Sequence, residues 1–345
     1  MGAGYLGDRF AGKSGLMLAL SLGLIGISQY ALGSAPSYWY MFAAMLVIGI
    51  GPSFYHPPAI ASLSRKFPDK RGFMIALHGT GGSVGNLIGP VLVGALLAGL
   101  LFTAVGWRLI VHLSVIPALI AAVAVYFMMR KIPTEDESTK SFGDYFAGLL
   151  GLLRQKAMIG LVAITGLRSM GQSAVNAFLP LYLLKDLGYS PFEVGLFMAG
   201  AQIVGVGAQP IMGSLSDKYG RKVVLIPAAT ALGLLYIALR YADPGMQLIL
   251  VVGAMGAFQY SLHSIFIAAA MDVGKGESQS TVVSLIYGAG FFGTVAPFVA
   301  GIIVDASQTR NAFVFAGITV LVAVVVFAMV KLPKTANQLA NSPDG

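Results

Sequence analysis

The chain contains no cysteine among its 345 residues, which excludes disulfide bonds and thiolate metal ligands. Charged residues are scarce as well: they account for 10% of the sequence, whereas soluble domains carry about 25%. Hydrophobic residues account for 57%. Because a soluble fold could not keep so much apolar surface away from water, this balance predicts an integral membrane protein.

Several sequence motifs of catalysis, nucleotide binding and metal binding are absent too. No Gly-x-x-x-x-Gly-Lys-Ser/Thr sequence occurs, which argues against an ATP-driven pump. No nucleophile or metal constellation lies within an apolar segment, so we expect neither an enzyme nor a cofactor. The chain has four histidines, and no two of them are three or four positions apart, so no metal site is predicted.

Ten apolar segments are each long enough to cross about 30 Å of hydrocarbon. They lie near residues 14–33, 38–63, 72–102, 105–130, 156–186, 191–214, 222–241, 246–272, 279–305 and 311–331. The sequence therefore predicts an all-α integral membrane protein with ten transmembrane helices.

The basic residues are distributed unevenly over the connections between these segments. Most of the 22 lysines and arginines fall in alternate connections, and the other connections hold only Arg108, Lys185, Arg240 and Arg310. Cytoplasmic loops carry such an excess, which predicts a plasma-membrane protein with both termini in the cytoplasm. The formal charge of +8 then reflects topology, and no nucleic-acid partner is expected.

A ten-residue charged pattern occurs twice, at 4–13 and again at 213–222. Shifting the chain by 207 residues also aligns Gly49 with Gly256, His56 with His263, Pro90 with Pro297 and Gly94 with Gly301. Such a repeat indicates two fused copies of one helical module. We expect a four-helix N-terminal bundle at 1–130, a linker with an amphipathic helix at 131–156, a six-helix bundle at 157–334 and a cytoplasmic tail at 335–345.

These motifs resemble those of the major facilitator superfamily. The segment Gly213-Ser-Leu-Ser-Asp217-Lys218-Tyr-Gly220-Arg221-Lys222 is similar, at every defined position, to the family signature for the loop between the second and third helices of each half. The first copy is similar through Asp8 and Arg9 and then departs. A second segment, Gly85-Asn-Leu-Ile-Gly89-Pro90-Val-Leu-Val-Gly94, resembles the motif in the fifth helix of the family's antiporters.

Other residues indicate which branch of that family the chain resembles. Drug:proton antiporters usually carry an arginine four residues before a glycine in the fourth helix, whereas Met45 precedes Gly49 here. The runs Phe-Tyr-His-Pro-Pro at 54–58 and Leu-His-Gly-Thr-Gly-Gly at 77–82 are more similar to the fosmidomycin-resistance-like branch of efflux proteins.

The resemblance implies two pseudo-symmetric bundles on a twelve-helix plan whose first two helices would precede Gly4. It also implies that the charged turns lock one face and release it during alternating access, through Asp8, Arg9, Asp217, Lys218, Gly220, Arg221 and Lys222. The alternative is that these cations only set topology. For Gly85, Gly89, Pro90 and Gly94 the resemblance implies a seal between the halves, and the spacing of small residues by itself favours close helix packing.

Polar residues within the predicted spans mark a candidate binding region, because ionisable groups in hydrocarbon are costly. Arg168, Gln172 and Asn176 follow at intervals of four and share one helix face, and Gln202 and Gln259 are further candidates. The guanidinium of Arg168 suits a carboxylate, phosphate or phosphonate, and no acidic residue lies mid-span to neutralise it. The alternative is that it pairs with a backbone carbonyl and fixes packing.

Three histidines are candidates for proton coupling or substrate contact: His56, His78 and His263. Histidine titrates near physiological pH, so a transporter without membrane carboxylates could use it to carry protons. The alternative for each is a packing role, which is also what we expect of His112 on a peripheral helix.

Together these features predict a monomeric secondary transporter in a lipid bilayer. We expect it to move a small organic solute, anionic if Arg168 contacts it, by alternating access, with proton-coupled efflux as the leading interpretation. An organic-anion importer and a non-functional fragment truncated at the N-terminus are the alternatives. Substrate, direction and coupling ion are not specified by these residues.

Overall fold

The computed structural model describes residues 13–66, 71–101, 103–129, 141–274 and 279–332. All regular secondary structure in these ranges is helical. The α-helices are α1 Ser14–Gly33, α2 Tyr38–Lys66, α3 Arg71–Leu97, α4 Trp107–Leu113, α5 Val115–Met129, α6 Phe142–Leu153, α7 Lys156–Leu181, α8 Pro191–Tyr219, α9 Arg221–Ala238, α10 Met246–Val273, α11 Gln279–Ala289, α12 Ala296–Asp305 and α13 Asn311–Met329. A π-helical turn, Tyr182–Asp186, follows α7, and a 3₁₀ segment, Gly290–Val295, joins α11 to α12.

The ten predicted spans all coincide with helices, and eight of them are long and apolar enough to cross a membrane within the described residues. The segment Lys156–Asp186 passes this test only together with Gly143–Leu153, from which it is bent by 90°. In α3 only the shorter part Gly81–Leu97 qualifies as an apolar helix. In α7, polar side chains such as Arg168 and Gln172 lower the hydropathy of the helix.

The chain divides into two compact units. The first comprises Met1–Gly82 with Ala95–Ala147, and the second comprises Ser83–Gly94 with Gly148–Gly345. The expected linker at 131–156 is described only from residue 141, and there it holds the amphipathic helix α6. Leu149 and Leu152 of α6 belong to the apolar core of the second unit. The expected cytoplasmic tail at 335–345 lies outside the described residues.

In the first unit, α1 packs against α2 and α5. The carboxyl end of α1 is held by the helix that follows the third span. Arg108 Nη1 donates hydrogen bonds to the carbonyl oxygens of Gly33 at 3.0 Å and Ala35 at 2.8 Å, and His112 Nε2 lies 2.9 Å from Ser34 Oγ. A cation at a helix carboxyl end satisfies carbonyls that the helix itself leaves free and favours the helix dipole. His112 therefore contributes a contact to this helix end.

Local chemistry fixes both ends of α8 in the second unit. Ser190 and Glu193 form a capping box, in which the backbone N of Ser190 donates to Glu193 Oε2 at 2.7 Å and the backbone N of Glu193 donates to Ser190 Oγ at 3.3 Å. Pro191 occupies the first helical position, where its missing N–H costs nothing. At the other end the chain turns at Gly220, whose φ of 102° is unfavourable for residues with a side chain.

The second unit is built from three close helix pairs: α8 with α10, α7 with α13 and α9 with α13. Glycines allow the first pair to approach closely. A side chain on Gly256 of α10 would collide with the backbone of Ala201 in α8, and a Cβ on Gly205 would lie 2.8 Å from the carbonyl oxygen of Gly256. Large apolar side chains elsewhere face outward, among them Leu250, Val325 and Met329, which is 81% exposed. Exposure on this scale suits contact with lipid.

We predict that Gly256→Ala destabilises the protein, because the added methyl group has no room against the backbone of Ala201. Overpacking of this kind costs about 1–3 kcal/mol, and thermal denaturation of the purified protein in detergent measures it. The matched control is Gly253→Ala on the same helix, where the new Cβ would lie 3.9 Å from Val204 Cγ2, an ordinary contact. Equal transition temperatures for the two variants would contradict the close packing of α8 and α10.

Candidate functional site

Arg168 is buried midway along α7, with 3% of its surface exposed. Its Nη1 donates to Gln172 Oε1 at 2.7 Å and makes a longer contact of 3.5 Å with the carbonyl oxygen of Gln259. Its Nε is buried and has no hydrogen-bond partner. Among the described residues, no carboxylate lies within ion-pair distance of this guanidinium. The side chain is therefore a buried cation with one nitrogen unsatisfied.

Gln259 of α10 connects this arginine to two further helices. Its Oε1 accepts a hydrogen bond of 2.7 Å from the hydroxyl of Tyr236 on α9. Its Nε2 donates to Asn176 Oδ1 on α7 at 3.2 Å. Both Gln259 and Tyr236 are fully buried, whereas Asn176 is exposed. The network thus runs from the core of the second unit to an accessible surface, and we call it the α7–α10 cluster: Arg168, Gln172, Asn176, Tyr236 and Gln259.

Aromatic rings border the same cluster. The ring of Phe266 lies 5.8 Å from the guanidinium carbon of Arg168, a distance at which the face of a ring attracts a cation. His263 lies one turn earlier on α10, on the same face as Phe266, and packs edge-on against Tyr287 at 5.1 Å. A titratable ring therefore stands beside a fixed positive charge.

The burial of the Arg168 guanidinium has a cost in free energy. Removing an ion from water costs several kcal/mol, and this cost is recovered only through a partner of opposite charge with well-formed hydrogen bonds. The hydrogen bonds to Gln172 and Gln259 engage Nη1 alone. The edge of the guanidinium that carries Nε remains able to donate to an anion, and planar carboxylates match such an edge with two parallel hydrogen bonds.

The structure brings together most of the polar residues predicted for the second half. Arg168, Gln172, Asn176 and Gln259 join in one network, and His263 lies beside it. Gln202 is buried in α8, with 3% of its surface exposed, but it makes no hydrogen bond to this network within the described part of the chain. Sequence reasoning missed Tyr236, because a tyrosine in an apolar helix carries no pattern that distinguishes it from a packing residue.

The two candidate histidines of the first unit also meet. His78 Nε2 of α3 lies 3.5 Å from His56 Nδ1 of α2. The ring of Tyr55 stacks on His78 at 5.8 Å and meets His56 edge-on at 5.6 Å. No sequence spacing indicated this pairing, because the two residues lie on different helices.

The charged turn between α8 and α9 is organised by Arg221. Its guanidinium pairs with Asp217, donates to Ser216 Oγ at 2.7 Å and forms an ion pair of 2.9 Å with Asp272 at the end of α10. Asp272 was not predicted, since it lies outside the motif and is brought close only by the packing of α10. One side chain thus links the ends of three helices.

The other cations of this turn have separate contacts. Lys222 Nζ donates to the carbonyl oxygens of Ala328 at 2.6 Å and Val330 at 2.8 Å, at the carboxyl end of α13. The ammonium of Lys218 lies 5.1 Å from the ring of Tyr219. Asp8 and Arg9 of the first copy lie outside the described residues, so only the second copy can be described.

The small-residue series of α3 makes one close contact. At this contact with α8, a side chain on Gly94 would collide with the carbonyl oxygen of Pro191. Likewise, a side chain on Gly195 of α8 would collide with the carbonyl oxygen of Pro90. At Gly85 and Gly89 an added Cβ would meet nothing within 4 Å. Close packing is therefore confined to the Gly94 end of the series.

The comparisons with known proteins agree with this architecture. The sequence model of the Major Facilitator Superfamily matches residues 1–166 and again 161–344. The multidrug resistance protein MdtG of Yersinia enterocolitica is 25% identical over 260 residues, which is 74% of this chain and 60% of that protein. The cis,cis-muconate transport protein of Acinetobacter baylyi is 25% identical over 254 residues, which is 69% of this chain and 60% of that protein.

A solved structure shares the fold. It is a bacterial homologue of the human lysosomal transporter Spinster, with a TM-score of 0.65 and 16% sequence identity over 95% of this chain and 83% of that one. The chain spans about 60% of the length of the two curated relatives. The family sequence model covers both halves in turn, as the internal repeat predicted, and this chain belongs to the Major Facilitator Superfamily.

Proposed function

We propose that this chain is a proton-coupled secondary transporter of a small organic anion, with Arg168 as the group that binds the anion. Members of its family move small solutes across a membrane. The observation that carries the proposal is the buried guanidinium of Arg168, whose Nε has no hydrogen-bond partner and whose surroundings supply no carboxylate within the described residues. Burying a cation without a partner of opposite charge costs several kcal/mol. This cost is explained if an anionic solute is the partner of Arg168.

The chemistry around Arg168 favours a carboxylate that carries an apolar body. The guanidinium edge offers the two parallel donors that a carboxylate accepts. Phe266 supplies an apolar face on one side, and the amide of Asn176 is accessible to a second polar group. The similarity to the cis,cis-muconate transport protein, whose name refers to an unsaturated dicarboxylate, supports this class of solute.

Histidine is the group we propose for proton coupling. His263 shares a face of α10 with Phe266, whose ring lies 5.8 Å from the guanidinium carbon of Arg168, so a charge on His263 would act on an anion held there. Binding of the anion and of the proton would then be coupled, and such coupling is reciprocal by thermodynamic necessity. His56 and His78 form a second titratable pair, in the first unit.

The direction we propose is export, in keeping with the antiporter-like motif at Gly85–Gly94 and with a relative named as a multidrug resistance protein. Import of the same anion is the alternative, and the polarity of the pH gradient that drives flux distinguishes the two. We place both termini in the cytoplasm of a monomeric plasma-membrane protein, because the basic residues concentrate in alternate connections. Labelling of single cysteines introduced into this cysteine-free chain tests that orientation.

We further propose that Arg221 holds one face of the transporter closed. Its contacts with Asp217, Ser216 and Asp272 join the ends of α8, α9 and α10. Opening that face would require these helix ends to separate and the ion pairs to break. Lys222 adds a second link, from α9 to the end of α13.

We predict that Arg168→Gln lowers the rate of cis,cis-muconate transport about tenfold to a hundredfold. The variant removes a charged donor worth about 1.5–3 kcal/mol, and each 1.4 kcal/mol is about tenfold. The purified chain in proteoliposomes, with pH gradients of either polarity and radiolabelled muconate, gives the measurement. Arg168→Lys should recover part of the rate, because the lysine ammonium restores the positive charge but not the planar, two-donor geometry of the guanidinium.

The matched control for Arg168 is Arg154→Gln, which removes one cation at an exposed position just after α6. It should leave transport unchanged. If muconate moves at the same rate through the Arg168→Gln variant, the role of Arg168 is wrong. If a panel of mono- and dicarboxylates is not transported by the unaltered protein, the proposed solute class is wrong.

We predict that Asp272→Asn opens the face that Arg221 closes, because it removes the negative charge that links α10 to Arg221 while leaving the Arg221–Asp217 pair in place. The readout is the rate at which a membrane-impermeant maleimide, added on the side of the Arg221 contacts, labels a cysteine placed at Asn176 in the α7–α10 cluster, and this rate should rise. The loss of a charge-assisted hydrogen bond of about 1.5–3 kcal/mol shifts the equilibrium by about tenfold or more.

The control for Asp272 is Asp243→Asn, which makes the same chemical change at an exposed position near the opposite end of α10. In the Asp243→Asn control, the cysteine at Asn176 should be labelled at the same rate as with the native Asp243. Equal labelling rates with the native Asp272 and Asp243, with Asp272→Asn and with Asp243→Asn would show that the Arg221 contacts do not control access to the cluster.

A further inference from the structure

The pair of histidines in the first unit has a geometry that proton coupling does not require. His56 Nδ1 and His78 Nε2 face each other from α2 and α3 at a distance of 3.5 Å. We infer that these two nitrogens form a binding site for a divalent transition-metal ion, with Zn²⁺, Ni²⁺ and Cu²⁺ as the ions that fit it.

The spacing of the two nitrogens is the first argument. Zinc binds histidine nitrogen at about 2.0–2.1 Å in tetrahedral geometry, which places two ligand nitrogens about 3.4 Å apart. The observed 3.5 Å matches this separation, and one ion in place of the shared hydrogen would give both nitrogens a common partner. Two imidazoles can share an ion in this way only when both are neutral, and two rings this close disfavour a second proton because the charges would repel.

The orientation of the rings is the second argument. Tyr55 lies against both of them, nearly parallel to His78 with an interplanar angle of 24° and edge-on to His56 at 86°. Packing of this kind restricts the rotation of a ligand ring, which is what outer groups do around established metal sites. Each ring also keeps its other nitrogen available for a hydrogen bond that sets the tautomer.

The ligand set decides which metals fit. Imidazole nitrogen suits zinc, copper and nickel, whereas calcium and magnesium require oxygen ligands. Within the described residues, no group of three or more His, Cys, Asp or Glu side chains surrounds one ion. The site thus supplies two protein ligands, and since His56 is exposed and His78 half-buried, water can complete the coordination.

A bound ion would connect α2 to α3 inside the first unit. Any step that moves these two helices apart at this level would then be blocked, so micromolar metal would inhibit a transport cycle that needs such a movement. The site itself does not depend on the anion at Arg168, because the two lie in different units. Failure of either proposal is therefore distinguishable from failure of the other.

The test is a Zn²⁺ titration of the purified full chain, with any affinity tag removed, by isothermal calorimetry and by competition with a chromophoric chelator. One equivalent should bind to the unaltered protein. His56→Ala and His78→Ala should each weaken binding by about 10–100-fold or more, since loss of an outer partner alone has that effect on metal affinity. His263→Ala, a histidine of the second unit, should bind Zn²⁺ as the unaltered protein does.

A second measurement covers the case in which a variant fails to fold. Electron paramagnetic resonance of Cu²⁺ bound to the unaltered protein should show hyperfine coupling to two imidazole nitrogens. A signal from one nitrogen or none would overturn the inference, and so would Zn²⁺ affinity unchanged in the double variant His56→Ala/His78→Ala.

Discussion

The second unit is organised around one unfavourable interaction: a permanent positive charge at Arg168, buried midway along a membrane-spanning helix without a carboxylate beside it in the described part of the chain. The hydrogen bonds from Nη1 to Gln172 and Gln259 offset part of the cost and fix the side chain, while Nε remains unsatisfied. Because the guanidinium stays charged at any physiological pH, the protein cannot relieve the strain by losing a proton. An anion bound at Nε, as we propose, would complete the site.

The surrounding helices make this arrangement possible by packing closely elsewhere. The α8–α10 pair meets at Gly205 and Gly256, where no side chain fits, and this contact holds α10 in the position from which Gln259 reaches across to α7 and α9. At the far end of the same helices Arg221 joins three helix ends through ion pairs that can break and re-form. A binding region held by close helix packing and a gate of ion pairs on the same helices, as we propose them, would suit alternating access.

Sequence periodicity predicted the helices and one face of the site, because both depend on interactions within a single helix. Arg168, Gln172 and Asn176 follow at intervals of four, so their common face could be predicted before any packing was known. The partners from other helices could not be predicted in this way. Tyr236, Asp272 and the meeting of His56 with His78 depend on which helices become neighbours, and Gly94 differs from Gly85 for the same reason.

The measurement that tests the central claim most directly is a structure of the protein in a lipid nanodisc with cis,cis-muconate bound. The account predicts a carboxylate of the ligand within hydrogen-bonding distance of Arg168 Nε, with the contact from Nη1 to Gln172 retained. A ligand bound elsewhere while Arg168 Nε stays unpaired, or an Arg168 neutralised by an acidic group of the protein itself, would contradict it.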